Sequence, residues 1–271
     1  MRDRFDLTGR TAIVTGGGGI LGQGFCEVLA AHGASVAVFD VNEAAAAKTV
    51  EAIKASSPSV KTLAIACDVS SAASVSAAVQ RVVKEFGGID ILHNNAASKS
   101  SDLVEFFKPF EDFSIDTWRE IMGVNIDGMF LMAQAVGKQM VAQKRGGSIV
   151  QTASIYGVVA PDQRIYEGSQ YLGRAINTPA VYSASKAAVI GLTKYLASYW
   201  GAHGIRVNTL TPGGVESGQN DVFSQKYSAR VPMGRMAQAD EMQSALLFLA
   251  SDASSYMTGQ NLVIDGGLTC W

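Results

Sequence analysis

The chain has 271 residues, 48% of them hydrophobic, and a formal net charge of −2. This length and apolar content suit one α/β domain with a large core, and we expect residues 1–271 to form that single domain. The small charge, without a block of Lys and Arg, argues against a nucleic-acid or anionic-membrane partner. The first residues carry no apolar signal region and no apolar run is long enough to span a bilayer, so we expect a cytoplasmic protein.

The potential metal ligands are scattered along the chain. The three cysteines are too few and too far apart for a disulfide framework, and buried, inert thiols are the default interpretation. The three histidines form no ligand cluster, so we predict no catalytic metal. These residues are Cys26, Cys67, Cys270, His32, His93 and His203.

Short apolar strands alternate with helical segments, a pattern typical of a parallel sheet covered by helices on both faces. We therefore predict an α/β fold: a Rossmann-like, doubly wound, seven-stranded parallel sheet. Strands are expected over residues 11–14, 35–39, 62–66, 90–93, 148–152, 205–210 and 261–264, and helices over residues 20–31, 42–56, 72–86, 116–144, 182–203 and 240–250. Gly123, Asn125 and Gly128 are expected to interrupt the middle of the helix over residues 116–144. Residues 98–114 are expected to be irregular and exposed.

A glycine-rich turn over residues 15–22, Thr-Gly-Gly-Gly-Gly-Ile-Leu-Gly, joins the first predicted strand to the first helix. Glycines let the backbone approach the phosphates of a dinucleotide, whose charge is met by amide N–H groups at the start of the helix. Any tight strand-to-helix turn can also use glycine, so this motif alone leaves a purely structural interpretation open.

Asp40 ends the second predicted strand, about 20 residues beyond the glycines. An acidic side chain at this place can accept hydrogen bonds from both hydroxyls of an adenosine ribose. Asp40 would repel a 2′-phosphate, and Val41 and Asn42 offer no positive charge to hold one. The cofactor is therefore expected to be NAD rather than NADP, while a helix cap is the alternative interpretation of Asp40.

Three further polar positions follow predicted strands or interrupt an apolar run. Asp68 is placed to meet an adenine ring or, alternatively, to cap the next helix. Small residues and amides over residues 94–97 suit the middle of a bound dinucleotide. Asn125 lies in an otherwise apolar stretch, where its amide either satisfies backbone groups or holds a water beside an active site.

Tyr182 and Lys186 are four residues apart at the start of a predicted helix, so both side chains lie on one face. A nearby ammonium favours the phenolate and lowers the pKa of the phenol, which makes it a usable acid and base. The chain has eight tyrosines, and only Tyr182 has a lysine four residues on. A tyrosine and a lysine at this spacing are often only a pair of surface residues. Because the same chain also has Ser154 at the end of a predicted strand and the glycine-rich turn, the pair indicates a catalytic role here.

In these motifs and their order, the chain resembles the short-chain dehydrogenase/reductase family over nearly its whole length. The matching segments are residues 15–22, Asp68-Val69, Asn94-Asn95-Ala96, Asn125, Ser154 with residues 155–157, Tyr182-Ser183-Ala184-Ser185-Lys186, Arg206-Val207-Asn208, Pro212-Gly213 and Asp265-Gly266-Gly267. The resemblance implies a dinucleotide-binding half over about residues 1–150 and a catalytic half over about residues 151–271. It also implies a homotetramer or a dimer.

The resemblance assigns the site residues by position. Tyr182 is implied to be the general acid and base, Ser154 to hydrogen-bond the reacting oxygen, Lys186 to hold the nicotinamide ribose, and Asn125 to anchor a relay water. The implied cofactor contacts are Gly16, Gly19, Ile20, Leu21, Gly22, Asp40, Asp68, Val69, Asn95, Ala96, Tyr182, Lys186, Pro212, Gly213, Val215 and Ser217. The expected substrate contacts are Ser154, Tyr156, Arg164 and Gly214.

The chain departs from the family pattern at three places. Ile20 stands where the family usually has its middle glycine, and Ala97 replaces the last glycine of the Asn-Asn-Ala-Gly motif. The interval between Ser154 and Tyr182 is longer than usual, and its loop over residues 155–180 carries Arg164, Arg174 and several hydrogen-bonding side chains. These suit a polyhydroxylated substrate, with or without a carboxylate, or they solvate a lid. A second lid-like segment is expected over residues 211–237.

These features predict an NAD(H)-dependent oxidoreductase that interconverts a secondary alcohol and a ketone, on a sugar, sugar acid or related polyhydroxy compound. A 3-oxoacyl-thioester reductase is the first alternative, and Asp40 argues against it because biosynthetic reduction usually draws on NADPH. A non-catalytic nucleotide-binding regulatory protein is the second alternative. Such a protein is expected to have lost at least one catalytic side chain, whereas this chain has all of those that the family pattern requires.

Overall fold

The computed structural model describes residues 3–271 and contains nine strands and nine α-helices in that range. The strands are β1 (Thr11–Thr15), β2 (Ser35–Asp40), β3 (Thr62–Ala66), β4 (Ile91–Asn94), β5 (Gly147–Thr152), β6 (Gln170–Tyr171), β7 (Arg174–Ala175), β8 (Ile205–Pro212) and β9 (Asn261–Ile264). The helices are α1 (Ile20–Ala31), α2 (Glu43–Ser56), α3 (Ala72–Phe86), α4 (Leu103–Phe106), α5 (Ile115–Met122), α6 (Gly128–Gln143), α7 (Ala180–Trp200), α8 (Asp221–Ser228) and α9 (Gln243–Ala250).

Seven strands form one parallel sheet in the order β3-β2-β1-β4-β5-β8-β9. The order reverses between β1 and β4, and this is the place where doubly wound sheets open a crevice for ligands at the carboxyl ends of their strands. The predicted Rossmann-like sheet is thereby confirmed. The short strands β6 and β7 pair antiparallel with each other as a separate hairpin.

Each face of the sheet carries its own apolar core, as the unbroken apolar strands require. On one face the strands pack against Phe25 and Leu29 of α1, Ile53 of α2 and Leu246 of α9. On the other face they pack against α3, α6 and α7, with Trp200 near the end of α7. The sheet is therefore covered by helices on both sides.

Local sequence sets the ends of the helices. The side chain of Asn42 accepts a hydrogen bond from Ala45 N and caps α2, and Ser71 caps α3 in the same way. Gly87, with a left-handed φ of 83°, ends α3. Since Asn42 and Ser71 hold the cap positions, the capping interpretation of Asp40 and Asp68 is wrong.

The long helix expected over residues 116–144 is interrupted in its middle, where Gly123, Asn125 and Gly128 led us to expect a break. A π-turn over Gly123–Asp127 separates α5 from α6, and Asn125 within it is fully buried. Gly123 begins this π-helical turn and Gly128 follows it, and such turns often occur at functional sites.

Three segments expected to be irregular or lid-like contain more order than their sequences indicated. Residues 98–114 include α4 and bury Phe106, so the expectation of an exposed segment was wrong there. The 155–180 loop holds two 3₁₀ turns and the β6–β7 hairpin, and α7 begins at Ala180, two residues earlier than expected. Residues 211–237 contain the end of β8 and the whole of α8.

His93 is a fully buried titratable group in β4. Its ring packs edge-on against Phe25 with centroids 4.5 Å apart, and its Nε2 lies 2.9 Å from Thr152 Oγ1. Nδ1 has no hydrogen-bond partner among residues 3–271. Burial disfavours the charged ring and lowers its pKa to about 3, so His93 is neutral in the folded protein.

We predict that His93 makes the fold sensitive to acid. The unfolded chain protonates His93 below its ordinary pKa near 6.5, whereas the folded chain does so only near 3, so stability is retained above pH 6.5 and falls between these values. At about pH 4 the loss is roughly 3 kcal/mol. Denaturant midpoints should therefore fall less in His93→Gln, which retains an amide hydrogen-bond donor, than in the wild type. An identical pH dependence in both proteins would contradict this assignment.

Candidate active site

Two cavities open at the carboxyl edge of the sheet and share part of their lining. A cleft of about 780 Å³ runs from the glycine turn and Asp40 to Tyr182. A second cavity of about 440 Å³ is lined by the 155–180 loop, α4 and α8. Both are lined by Lys99, Ser154, Tyr182 and Gly213, so the two cavities meet at the predicted catalytic side chains.

The glycine turn at one end of the cleft is closely packed. A Cβ atom at Gly22 would overlap the carbonyl oxygen of Gly16, and one at Gly17 would lie 2.6 Å from Val38 Cγ1. Neither a side-chain cap nor an acidic residue occupies the first turn of α1 in this part of the described chain. The positive end of α1 is therefore left for an anion, and this geometry fits the pyrophosphate of a dinucleotide.

Two carboxylates lie along the cleft at strand ends. Asp40 accepts hydrogen bonds from Gly18 N at 3.0 Å and Asn42 N at 2.9 Å, which fix its side chain at the end of β2. Asp68 accepts from the backbone N and the hydroxyl of Ser70. Both residues line the cleft, as the ribose and adenine interpretations require.

Almost all of the predicted cofactor contacts come together in this cleft. Its lining includes Gly16, Gly19, Ile20, Leu21, Gly22, Asp40, Asp68, Val69, Asn95, Ala96, Tyr182, Lys186, Pro212, Gly213 and Val215. Ser217 is the exception: it is exposed and its backbone N donates to Gln219 Oε1 at 2.8 Å. Sequence reasoning missed Lys99, Val124 and Thr152, whose side-chain types carry no cofactor signal.

Lys186 is buried to 2% exposure within α7. Its Nζ donates a hydrogen bond to Thr152 O at 3.0 Å and lies 5.9 Å from the centroid of the Tyr182 ring. Burial lowers the pKa of Lys186 to about 8, because removing an ammonium from water disfavours its charge.

The pKa of the Tyr182 phenol differs from the one that the sequence predicted. Burial raises the pKa of its phenol above the ordinary value, a hydrogen bond with Ser154 opposes the rise, and Tyr166 adds to it. The pKa of this phenol is therefore raised overall, whereas the neighbouring lysine led us to expect a lowered value. The removal of the phenol from water has the larger effect.

Ser154 is positioned by the turn that follows it. Its Oγ accepts a hydrogen bond from Tyr156 N at 3.3 Å, within a 3₁₀ turn over Ile155–Gly157. A Cβ atom at Gly157 would lie 2.5 Å from the carbonyl carbon of Lys186, so only glycine permits this close packing of the turn on α7. The serine hydroxyl and the Tyr182 phenol are brought together by that contact.

Asn125 holds neighbouring segments together. Its Oδ1 accepts from Ser98 N at 2.8 Å, and its Nδ2 donates to Ser185 Oγ at 3.4 Å. Ser185 Oγ in turn donates to Tyr182 O at 2.9 Å. These contacts favour the interpretation of Asn125 as a buried amide that supports the backbone around the site, and its anchoring of a relay water stays a prediction.

Thr152 links the strands under the cleft. Its hydroxyl donates to Asn95 Oδ1 at 3.3 Å, so His93 Nε2 is the donor in the His93–Thr152 hydrogen bond. Its carbonyl oxygen accepts from Lys186, as described above. Thr15 Oγ1 accepts from Asn95 N at 2.9 Å. These hydrogen bonds connect β1, β4 and β5 where the order of the strands reverses.

The second cavity has a largely aromatic lining. Tyr156 and Gly214 line it as predicted, whereas neither Arg164 nor Arg174 does. The Arg164 side chain is 80% exposed and forms an ion pair with Asp162 at 2.8 Å. The aromatic and apolar residues Phe107, Phe223, Tyr227 and Met236 were missed, because the sequence led us to expect an irregular or lid-like segment around each of them and did not predict α8.

Two negative observations hold for residues 3–271. No group of three or more His, Cys, Asp or Glu side chains in that range is arranged to hold a metal ion. No helix in the same range combines the length and apolar character needed to cross a membrane.

Comparisons with known proteins give a consistent result. The family model described as short chain dehydrogenase matches residues 10–228. D-threitol dehydrogenase of Mycolicibacterium smegmatis is 39% identical over 272 residues, covering 98% of this chain and 95% of that protein. A 2,5-dichloro-2,5-cyclohexadiene-1,4-diol dehydrogenase of Sphingobium indicum is 37% identical, covering 97% and 98%. A gluconate 5-dehydrogenase from Burkholderia cenocepacia J2315, solved with NADP and tartrate, has a TM-score of 0.86 at 35% identity, covering 99% and 98%.

We predict that Gly22→Ala damages the cleft. The added methyl group overlaps the Gly16 carbonyl, so the turn must open, and we expect dinucleotide affinity to fall at least about tenfold with a lower melting temperature. Gly24→Ala on the same helix is the matched control, because its methyl group meets only the flexible end of Gln243. Fluorescence titration and thermal melts measure both effects. Equal affinity in the two variants would rule out this role for the turn.

Proposed function

The chain belongs to the short-chain dehydrogenase family, and on this premise we propose that it oxidises a secondary hydroxyl of a sugar or polyol to a ketone, with NAD as its cofactor. The observation that carries the proposal is the meeting of the dinucleotide-sized cleft and the smaller cavity at Ser154 and Tyr182. A substrate in the smaller cavity therefore has access both to these two side chains and to the cleft.

When bound, the nicotinamide cofactor accepts a hydride from the alcohol carbon or returns it to the ketone. The glycine turn would hold the pyrophosphate, and Asp40 the adenosine ribose. During oxidation the Tyr182 oxygen takes the hydroxyl proton as general base, and during reduction it returns the proton as general acid. Ser154 Oγ–H donates a hydrogen bond to the reacting oxygen and orients it.

The charge of Lys186 supports this proton transfer. With a pKa of about 8, its side chain is mostly an ammonium near neutral pH. An ammonium 5.9 Å from the Tyr182 ring favours the phenolate over the phenol, and it acts against the burial that raises the pKa of Tyr182. We therefore assign to Lys186 the role of opposing the effect of burial on Tyr182 during proton transfer.

The lining of the smaller cavity supports a polyhydroxy substrate. Gln170, Asn177, Gln219 and Asn220 line it. The protein already binds the Gln219 amide, Asn220 Oδ1 and Asn177 Nδ2, whereas the buried Oδ1 of Asn177 has no hydrogen-bond partner among residues 3–271 and is an acceptor for a hydroxyl. D-threitol and a cyclohexadiene-diol in the names of two relatives point in the same direction. The two arginines of the 155–180 loop lie outside the lining, so they give no support for a carboxylate on the substrate.

The choice of NAD rests on Asp40. Its fixed carboxylate repels a 2′-phosphate, and the following Val41 is an exposed apolar residue. The gluconate 5-dehydrogenase was solved with NADP, so the preference has to be measured on this chain.

The proposal includes a homotetramer in the cytoplasm. The stacked and exposed Tyr195 and Tyr199 on α7, together with the exposed Phe130 on α6, support contact with other copies of the chain. The three unpaired cysteines support a reducing compartment.

We predict that Tyr182→Phe lowers kcat by about 10²- to 10⁴-fold, because the proton acceptor is lost, with cofactor affinity unchanged. NADH formation should be measured with sugars, polyols and sugar acids, and NADH consumption with 3-oxoacyl thioesters. Tyr195→Phe, an exposed position on the same helix, is the matched control. Full activity in Tyr182→Phe would refute the mechanism, and turnover of thioesters alone would replace the proposed substrate class.

We predict a kcat/KM for NAD at least about tenfold above that for NADP, and a loss of most of this preference in Asp40→Ala. Removing the carboxylate removes both the repulsion of a 2′-phosphate and the acceptor for the ribose hydroxyls. Glu43→Ala, which removes an exposed carboxylate three residues later, should leave the preference unchanged. A wild type that uses NADP equally well would overturn the role of Asp40.

A further inference from the structure

The aromatic lining of the smaller cavity is organised as two groups of rings in contact. Phe107 and Tyr171 have centroids 5.9 Å apart. Tyr166 and Phe223 stack at 5.3 Å with 26° between their planes, and Phe223 lies 5.8 Å from Tyr227. All five line the cavity that contains Ser154 and Tyr182. We call these five residues the aromatic wall.

Two of the three hydroxyl groups in the aromatic wall have protein partners. Tyr166 OH is hydrogen-bonded to Thr178 Oγ1. Tyr227 OH accepts from Gly214 N at 2.5 Å. These two tyrosines therefore contribute ring surface to the cavity while the protein uses their polar ends.

The aromatic wall is assembled from three segments that are tied together. Asn177 Nδ2 donates to the carbonyl oxygen of Phe107 at 2.9 Å, joining the 155–180 loop to the end of α4. Lys226 Nζ donates to the carbonyl oxygens of Glu167 at 2.7 Å and Arg164 at 3.2 Å, joining the same loop to α8. The rings are held in place before any substrate arrives, which lowers the ordering cost of binding.

We propose that the aromatic wall binds the apolar face of a ring-shaped substrate, so that the enzyme prefers cyclic secondary alcohols over open-chain ones, with Phe223 as a specificity-determining residue. This rests on the proposed function and narrows its substrate class. A ring with hydroxyls at its edge presents C–H groups as a continuous face, which packs on aromatic surfaces. An open chain of equal size presents no fixed face and loses more rotational freedom on binding.

The test uses two vicinal secondary diols with six carbons, trans-cyclohexane-1,2-diol and hexane-3,4-diol, with the full-length protein and NAD. We expect kcat/KM for the cyclic diol to be at least about tenfold higher, the scale of one to two aromatic contacts. Phe223→Leu should reduce this ratio at least about fivefold, with kcat/KM for hexane-3,4-diol within about twofold of wild type. Val222→Ala, its exposed neighbour on α8, should keep the wild-type ratio.

Tyr171→Leu provides a second variant, because Tyr171 is 39% exposed on the β6–β7 hairpin and its replacement does not disturb the sheet. It too should lower the ratio of cyclic to open-chain kcat/KM. Equal or reversed preference in the wild type, or oxidation of open-chain polyols with neither six-carbon diol accepted, would overturn the inference and leave the proposed function standing. Absence of any alcohol oxidation by protein that still binds NAD would instead refute the proposed function itself, and the inference with it.

Discussion

The buried ammonium of Lys186 is the constraint on which the site depends. A charge removed from water is costly unless it is paired, and no carboxylate forms an ion pair with this one among the described residues. One carbonyl oxygen, that of Thr152 at the end of β5, accepts its hydrogen bond. The register of β5 and the packing of α7 on the following turn therefore fix where the charge lies. Tyr182, one helical turn earlier, is placed by the same helix.

The parts of the molecule that sequence could predict are those encoded by local spacing. Strands and helices appear as apolar periodicity, and the turn over residues 15–22 and the Tyr182–Lys186 pair appear as fixed intervals. What could not be predicted depends on burial or on competing local partners. The raised pKa of Tyr182 follows from burial, which no spacing reveals. Arg164 was expected to contact the substrate, but its side chain instead forms an ion pair with Asp162, two residues before it.

The arginines in the long interval between Ser154 and Tyr182 were expected to contact the substrate, but they do not line the smaller cavity. The polar side chains of this interval mainly hold the loop itself and its neighbours, as the contacts of Gln163 with Thr178 and of Asn177 with Phe107 illustrate. Its aromatic side chains face the cavity instead. The insertion thus supplies surface near Tyr182, while the side chains proposed to react lie just after β5 and on α7, next to the central sheet.

The contacts between the inserted loop and the α8 segment affect how the smaller cavity can open. Lys226 bridges to the loop carbonyls and to Glu167 at 3.5 Å, and Arg230 pairs with Asp162 at 2.7 Å. These contacts hold the inserted loop and the α8 segment together. Opening the smaller cavity between them therefore requires that these ion pairs break. Since salt screens such surface pairs, the contact between the loop and the α8 segment is expected to weaken as ionic strength rises.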